Sequence, residues 1–162
     1  MGKGGAVNSY PPTLIMRHRQ ENLKKCSLEP LKQREDLCFL TYPFELFPDA
    51  PGYVMLALDG PLLSLQDRER GLFLIDATWR YAAKIERVLC AKKKWIKRSL
   101  PPVTTAYPRK QHDCADPKRG LASVEALYVA YRLLGRDARG LLDHYRWKEA
   151  FWAQAGLNPN KL

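Results

Sequence analysis

The chain has 162 residues and a formal net charge of +10, because 27 lysine and arginine residues outnumber 17 acidic ones. This length suits a single domain with one core, and neither a bilayer span, which needs roughly 20 apolar residues in a row, nor a secretion signal is visible. The four cysteines lack the spacing of a zinc site and the density of a disulfide scaffold, so we expect a soluble cytoplasmic protein with reduced thiols, no metal and a polyanionic partner such as nucleic acid.

The first third of the chain predicts a tail followed by short strands. Residues 1–12 are rich in glycine and end in two prolines, a composition that predicts a flexible tail ahead of one domain spanning 13–162. Apolar runs predict strands at Thr13–Met16, Cys38–Tyr42 and Tyr53–Leu58. A short helix is expected at 65–70, where Ser64 and Asp67 have the spacing of a capping box.

The apolar run 72–75 ends abruptly in the carboxylate of Asp76, and a helical pattern that carries Trp79 follows at once. Such a run is typical of a buried parallel strand, and ligands of open α/β sheets bind where strands reach their carboxyl ends. Apolar residues recurring at steps of three and four predict a helix from Trp79 to about Arg98. Asp76 and Trp79 are therefore candidate site residues.

The last third predicts a short strand at Val103–Ala106, a polar loop, a helix at Ala122–Leu134 and another helix starting at Asp137. Alternating strands and helices predict an α/β fold with a mainly parallel sheet flanked by helices. Because knots are essentially absent from proteins, the pattern by itself would give an ordinary doubly wound sheet.

Basic residues crowd two stretches of the chain. Taken singly, most of them are expected to be solvated side chains of a helix end and a loop. Taken together, they predict contact with RNA phosphates, which adds salt-sensitive affinity. The candidates are Lys92, Lys93, Lys94, Lys97 and Arg98 in the first stretch and Arg109 and Lys110 in the second.

Five blocks along the chain resemble, in order, motifs of the aminocarboxypropyltransferases that modify small-subunit ribosomal RNA. Residues 76–79, Asp-Ala-Thr-Trp, are similar to the Asp-x-x-Trp motif that this family shares with the DTW-domain transferases. Residues 21–31 are similar to its N-terminal block, which reads Cys-Asp-Pro-Lys-Lys-Cys-Thr-Gly-Lys-Lys-Leu. Residues 100–101, 121–126 and 142–147 are similar to its Leu-Pro, Leu-Ser-x-x-Glu-Ala and C-terminal Phe-x-Trp blocks.

The resemblance implies a SPOUT-like fold, in which the C-terminal region threads a trefoil knot that forms the cofactor pocket. It also implies the reaction. A monomer would transfer the 3-amino-3-carboxypropyl group of S-adenosylmethionine, without a metal, to N3 of a uridine-type base in small-subunit rRNA, releasing methylthioadenosine.

The resemblance further assigns roles to individual residues. Trp79 would pack against the donor methyl group, and Asp76 would either position the donor or help to remove the N3 proton of the base. Ser27 would bind the methionine carboxylate, and the segment 121–123 would wrap the adenine. The implied donor pocket comprises Ser27, Ile75, Asp76, Trp79, Val103, Leu121, Ala122 and Ser123.

Alternatives remain at the level of both residues and function. The structural alternatives are a core residue for Trp79 and a helix cap for Asp76, which rank behind the functional roles, and a helix cap for Ser123 and a surface residue for Ser27, which rank level with them. The Ala-Thr-Trp sequence and the basic loop after Tyr107 favour the DTW-domain enzymes, which modify tRNA, whereas the N- and C-terminal blocks favour the rRNA family. A third hypothesis is a non-catalytic, basic RNA-binding factor of ribosome assembly.

Overall fold

The computed structural model describes residues 10–24, 26–107 and 120–156 of the chain, which form one sheet of five parallel strands and three α-helices. The predicted RNA contacts Arg109 and Lys110 lie outside the described residues. The strands are β1 Thr13–His18, β2 Leu37–Tyr42, β3 Tyr53–Leu56, β4 Gly71–Asp76 and β5 Ile96–Arg98. The helices are α1 Trp79–Lys92, α2 Ser123–Leu133 and α3 Lys148–Ala155.

The sheet has the strand order β2-β1-β4-β3-β5, with β4 at its centre. Side chains of a strand alternate between the two faces, and each face has its own core. Ile15 and Leu74 belong to the cluster that contains α2, whereas Met16 and Phe73 pack with Ile85 of α1. The α/β class and the parallel sheet predicted from the sequence are confirmed.

Helix α1 ends at Lys92, so the prediction that it continues to Arg98 is wrong. Lys93 has an extended backbone, and residues 96–98 form the edge strand β5, in which Ile96 pairs with Val54 of β3. Trp95 packs on Phe73, with ring centroids 4.8 Å apart, and fixes the reversal between the two elements. The apolar residues past Lys92 keep a helical spacing although Trp95 packs on the sheet and Ile96 lies in an edge strand.

Two further predictions in the C-terminal third are wrong. Residues 103–106 make no strand pairing, and the helix expected from Asp137 begins only at Lys148. Turns occupy most of the intervening segment, which includes Gly140 at a φ of +85°. The end of α2 at Gly135, which has a φ of +70°, agrees with the prediction, because a left-handed residue terminates a helix.

The first described residues are held against the rest of the fold by two contacts. Tyr10 lies 3.7 Å below the Arg136 guanidinium, and the Tyr53 hydroxyl donates to the Pro12 carbonyl at 2.6 Å. Ser64 and Asp67 form the predicted capping box around a single 3-10 turn at Leu65–Asp67. Among the described residues, no helix has the length and apolarity that a bilayer crossing requires.

Candidate active site

A cavity of about 460 Å³ lies where β3, β4 and β5 reach their carboxyl ends. The N-terminal part of α2 and the first two turns of α1 close its sides. Four of the residues implied by the family resemblance lie on its wall: Ile75, Trp79, Leu121 and Ser123. The remaining lining comes from Leu56, Ala57, Leu58, Asp59, Leu74, Ala77, Ala82, Ala83, Glu86, Leu100 and Ala126.

Trp79 is the first residue of α1 and is half-buried against this cavity. Ala82, Ala83 and Glu86 lie on the same face of the helix, at steps of three, four and seven residues. The small alanine side chains leave open the space that the indole borders. The wall is therefore apolar next to Trp79 and becomes polar one turn further along, at Glu86.

An ion-pair group forms the polar end of the cavity. The Lys97 ammonium lies 3.5 Å from Asp59 Oδ2 and 3.4 Å from Glu86 Oε2. Burial opposes its charge, but attraction to Glu86 and Asp59 outweighs that effect and raises the pKa of Lys97. Both carboxylates retain oxygens that can accept hydrogen bonds from a ligand hydroxyl or amine.

Asp76 ends β4 and is only 4% exposed. Ser123 Oγ donates to Asp76 Oδ1 at 2.6 Å, and Cys26 Sγ donates to Oδ2 at 3.1 Å. Arg17 Nε lies 3.5 Å from the same Oδ2 and balances the buried charge. Thr78, and not Asp76, occupies the N-cap position of α1, so the carboxylate connects the sheet to α2 and reaches the cavity through Ser123.

Cys26 is a hydrogen-bond donor and not a nucleophile in this arrangement. Burial, followed by the negative charge of Asp76, raises the pKa of its thiol to about 12. Glu21, Cys26 and Asp76 place ligand atoms within 4.8 Å of one another, the spacing of a metal site. The thiol is protonated and donates to Asp76, and Arg17 balances the charge of that carboxylate. The polar atoms of Cys26 and Asp76 therefore already have partners within the chain.

Three other residues of the implied donor pocket lie beside the cavity without lining it. Ser27 Oγ accepts a hydrogen bond from the Val124 backbone amide at 3.2 Å and so caps α2 from a distant segment. Ala122 is buried at the N-cap position of α2. Val103 is half-buried against the core cluster that contains α2.

Glu125 organises the walls around the cavity and was not singled out from the sequence. Its fully buried carboxylate accepts hydrogen bonds from the backbone amides of Ala106 at 2.9 Å and Ala122 at 2.8 Å, and from the hydroxyls of Thr105 and Tyr145. The hydrogen bond to Ala122 is the one with a sequence signal, because a glutamate three residues after the N-cap is typical of a capping box. Its bonds to Thr105 and Tyr145 leave no such signal.

In the first basic stretch, some side chains form hydrogen bonds or ion pairs within the chain, and others are exposed. Lys93 donates to the carbonyl oxygens of Asp49 and Ala50, and Arg98 Nε donates to Asp67 Oδ2 at 3.1 Å. Lys97 forms ion pairs with Asp59 and Glu86, which line the cavity, but does not line it itself. Lys92 and Lys94 are exposed.

The fold and the cavity define an all-parallel α/β domain with a ligand-sized site at the carboxyl ends of its strands. No family model and no curated protein sequence matches the chain. Among solved structures, it is similar to the SAM-dependent rRNA:acp-transferase Tsr3 from Vulcanisaeta distributa, with a TM-score of 0.69 and 26% sequence identity, over 88% of this chain and 77% of that chain. The similarity confirms the resemblance to the rRNA aminocarboxypropyltransferases that the sequence blocks predict.

Proposed function

We propose that this chain transfers the 3-amino-3-carboxypropyl group of S-adenosylmethionine to N3 of a uridine-type base in small-subunit rRNA. The observation that carries the proposal is the similarity to a SAM-dependent rRNA:acp-transferase at a TM-score of 0.69, over 88% of the chain. The cavity beside Trp79 has a volume of about 460 Å³, within the range of small-molecule sites. No step of the reaction requires a metal.

The reaction follows from which carbon of the donor sulfonium faces the acceptor. N3 of the base gives up its proton to solvent and attacks the γ-carbon of the methionine arm. The bond between that carbon and sulfur breaks, and its electron pair stays on sulfur, which leaves neutral methylthioadenosine. Alignment contributes several kcal/mol in such reactions, so a protein that packs the methyl group against Trp79 and exposes the γ-carbon selects this product.

Asp76 positions the donor in this proposal. Because Ser123 uses its hydroxyl proton to bond with Asp76, its oxygen keeps lone pairs that can accept a hydrogen bond from the donor ammonium. The carboxylate is too deeply buried to touch a base directly, so a role in removing the N3 proton requires a relay through Ser123. The positive end of α2, held by Ser27 and Ala122, favours the donor carboxylate nearby.

The remaining assignments are proposals of the same kind. Leu121 on the cavity wall is suited to contact with the adenine, and Ile75 presents its backbone at the end of β4 to the ribose. Val103 packs behind this wall. Exposed cations such as Lys92 and Lys94 supply phosphate contacts.

We also propose a SPOUT-like topology with a C-terminal trefoil knot, in a monomer that acts on rRNA or a pre-ribosomal particle in the cytoplasm. Two contacts support the knot: α2 follows β5 in the chain yet packs on the central strand β4, and its first turn bonds to Ser27 and Asp76. An experimental trace of residues 99–134 that passes through a closed loop of chain is expected. A trace without threading refutes the knot.

Incubation of the chain with carboxyl-labelled S-adenosylmethionine and purified RNA tests the proposed function. We expect methylthioadenosine as the by-product and label in small-subunit rRNA. Formation of S-adenosylhomocysteine identifies a methyltransferase instead, and label in tRNA identifies the second acceptor. Salt-sensitive RNA binding without any donor binding in calorimetry favours the non-catalytic assembly factor.

A further inference from the structure

Five rings form a continuous row along the carboxyl edge of the sheet, on the side that faces α1. Each ring contacts the next: centroid distances are 4.0 Å from Tyr81 to His18, 5.9 Å from His18 to Tyr42, 5.7 Å from Tyr42 to Phe44 and 5.7 Å from Phe44 to Phe47. Tyr81 and His18 are stacked, at an interplanar angle of 16°. We call these five side chains the ring row.

The ring row starts beside the cavity. His18 pairs with Tyr42 across β1 and β2, and Arg17 pairs with Asp76 across β1 and β4. Ala77, which follows Asp76 directly in the chain, lines the cavity. Tyr81 and Trp79 both belong to the first turn of α1, but they lie two residues apart and therefore on different faces of the helix, so the ring row does not line the cavity.

Packing of the core does not account for the whole of this row. Tyr42, Phe44 and Phe47 pack at the margin of the core around Met16 and Phe73, yet they and Tyr81 are only half-buried. Each therefore keeps part of its ring surface accessible. His18 is buried between Tyr81 and Tyr42 and holds the stack together.

Cations lie around the ring row. Arg19 follows His18 directly and Lys84 lies one turn after Tyr81; both are exposed. Burial, together with the positive charges of Arg19 and Lys84, lowers the pKa of His18, so its ring is neutral at physiological pH. Lys92 Nζ lies 5.7 Å from the centre of the Phe47 ring, and acidic residues occur near both ends of the row: Glu21 near His18, and Glu45 and Asp49 near Phe47. Arg19, Lys84 and Lys92 thus place cations at both ends of the row.

We propose that the ring row is the surface on which unpaired bases of the acceptor RNA stack, with Tyr81 at the end of the row nearer the cavity. The proposal rests on the proposed function, because that function supplies an RNA partner. Half-exposed aromatic rings interspersed with cations suit single-stranded RNA, whose bases stack on rings while its phosphates contact lysine and arginine.

Fluorescence anisotropy with a fluorescein-labelled RNA hairpin that carries a uridine-rich loop tests this surface. Tyr81→Leu is expected to weaken binding about tenfold, as loss of one base–ring stack does, whereas the matched Tyr81→Phe variant stays within about twofold of wild type. A blunt duplex of the same stem is expected to bind equally to all three proteins. The dissociation constant for S-adenosylmethionine and the melting temperature report on the fold and should not change.

Salt dependence separates stacking from charge. Tyr81→Leu is expected to lower affinity equally at every salt concentration, whereas Lys84→Gln should flatten the slope of log affinity against log salt by about 0.7. Equal hairpin binding by wild type and Tyr81→Leu overturns the ring row while leaving the transferase proposal intact. If wild type forms no complex with hairpin, rRNA or tRNA, both proposals fail. If Tyr81→Leu instead breaks a dimer in sedimentation, the row is a contact between two copies and the RNA assignment is wrong.

Discussion

Trp79 borders the cavity from a position where its neighbours on the helix are small. Ala82 and Ala83 provide little contact area of their own, so the indole is the main apolar surface that the first turn of α1 offers to a ligand. A sulfonium cation next to an indole is stabilised by the negative face of the ring. The affinity for the donor should therefore depend on this side chain.

We expect Trp79→Ala to weaken S-adenosylmethionine binding about tenfold, equivalent to roughly 1–2 kcal/mol for a cation over an indole. Trp79→Phe, which keeps an aromatic face, should lose less. Isothermal titration calorimetry measures both, and anisotropy with RNA provides the control, since neither variant should change RNA affinity. Equal losses for both ligands would indicate unfolding of the variant, and an unchanged donor affinity would contradict the assignment.

Asp76 holds three parts of the chain together through Arg17, Cys26 and Ser123. Asp76→Asn keeps the shape but removes the charge that balances Arg17, so we expect a loss of about 1–3 kcal/mol in the free energy of unfolding in urea. Asp137→Asn is the matched control, because that exposed carboxylate bonds only locally, to Arg139. Stability equal to wild type in Asp76→Asn would refute the buried network.

The thiol of Cys26 predicts a pH dependence of stability. Its pKa is about 12 in the folded chain against an ordinary value of 9.0, so between these values the folded chain keeps a proton that the unfolded chain releases. Stability contributed by this thiol is complete below pH 9 and falls as pH rises, by up to about 1.4 kcal/mol per pH unit.

Cys26→Ser isolates this effect, because serine keeps the hydrogen bond to Asp76 but does not titrate. Urea unfolding of both proteins should give parallel stability curves below pH 9 and a steeper decline for wild type above it. Parallel curves throughout would show that the thiol is not held in its neutral form. The other alkaline groups are common to both proteins and cancel.

At the scale of elements, Glu125 ties the segment 101–107 and the chain before α3 to the first turn of α2. A glutamine at this position places an amide N–H₂ group among four hydrogen-bond donors, two of which, the Ala122 amide and the Tyr145 hydroxyl, are buried. We expect Glu125→Gln to lower the free energy of unfolding by about 2–4 kcal/mol. It should also weaken donor binding, because Leu100 and Leu121 on the cavity wall flank the segments that Glu125 orders.

Chemical unfolding and donor titration of Glu125→Gln check this expectation. Glu149→Gln, an exposed change on α3 that also removes one negative charge, is the control. A variant of Glu125 that unfolds at the same urea concentration as wild type would show that the four hydrogen bonds contribute little.

Strands β1 to β4 were predictable because each contains a local apolar run, and β4, buried on both faces, had the clearest pattern, whereas β5 was missed and the strand expected at 103–106 does not form. The end of α1 was not predictable from the sequence. Ile96 falls on the helical spacing by coincidence, and it lies in a strand because it pairs with Val54 of β3. For the site, Trp79 and Ser123 were named from family motifs. Arg17 and Glu125 were missed because their roles depend on partners 59 and 20 residues away, which local patterns do not encode.

At the scale of the whole molecule, the charge of +10 is only partly available to a partner. Lys93, Lys97 and Arg98 are engaged with carbonyls or carboxylates of the chain, whereas Lys92 and Lys94 project from the end of α1. Long-range attraction of RNA depends on the total, but close phosphate contact depends on cations that carry no strong internal partner.

A double Lys92→Gln, Lys94→Gln variant should therefore flatten the salt dependence of RNA affinity by about 1.4, corresponding to two phosphate contacts with single-stranded RNA. Lys97→Gln removes one charge as well, but its amine binds Asp59 and Glu86, so we expect it to change donor affinity more than the salt slope. Anisotropy at several salt concentrations measures the slopes. A larger decrease in the salt slope for Lys97→Gln than for the double variant would contradict this distinction between engaged and exposed lysines.

The cavity wall is assembled from residues 56–59, 74–86, 100 and 121–126, so no continuous stretch of the chain contains it. Synthesis proceeds from the N-terminus, and a nascent chain that stops after β5 has the strands but lacks one side of the chamber. Affinity for the small molecule should therefore emerge abruptly, late in translation. A truncated product that ends before α2 would lack part of the donor site. S-adenosylmethionine could therefore not stabilise it against degradation.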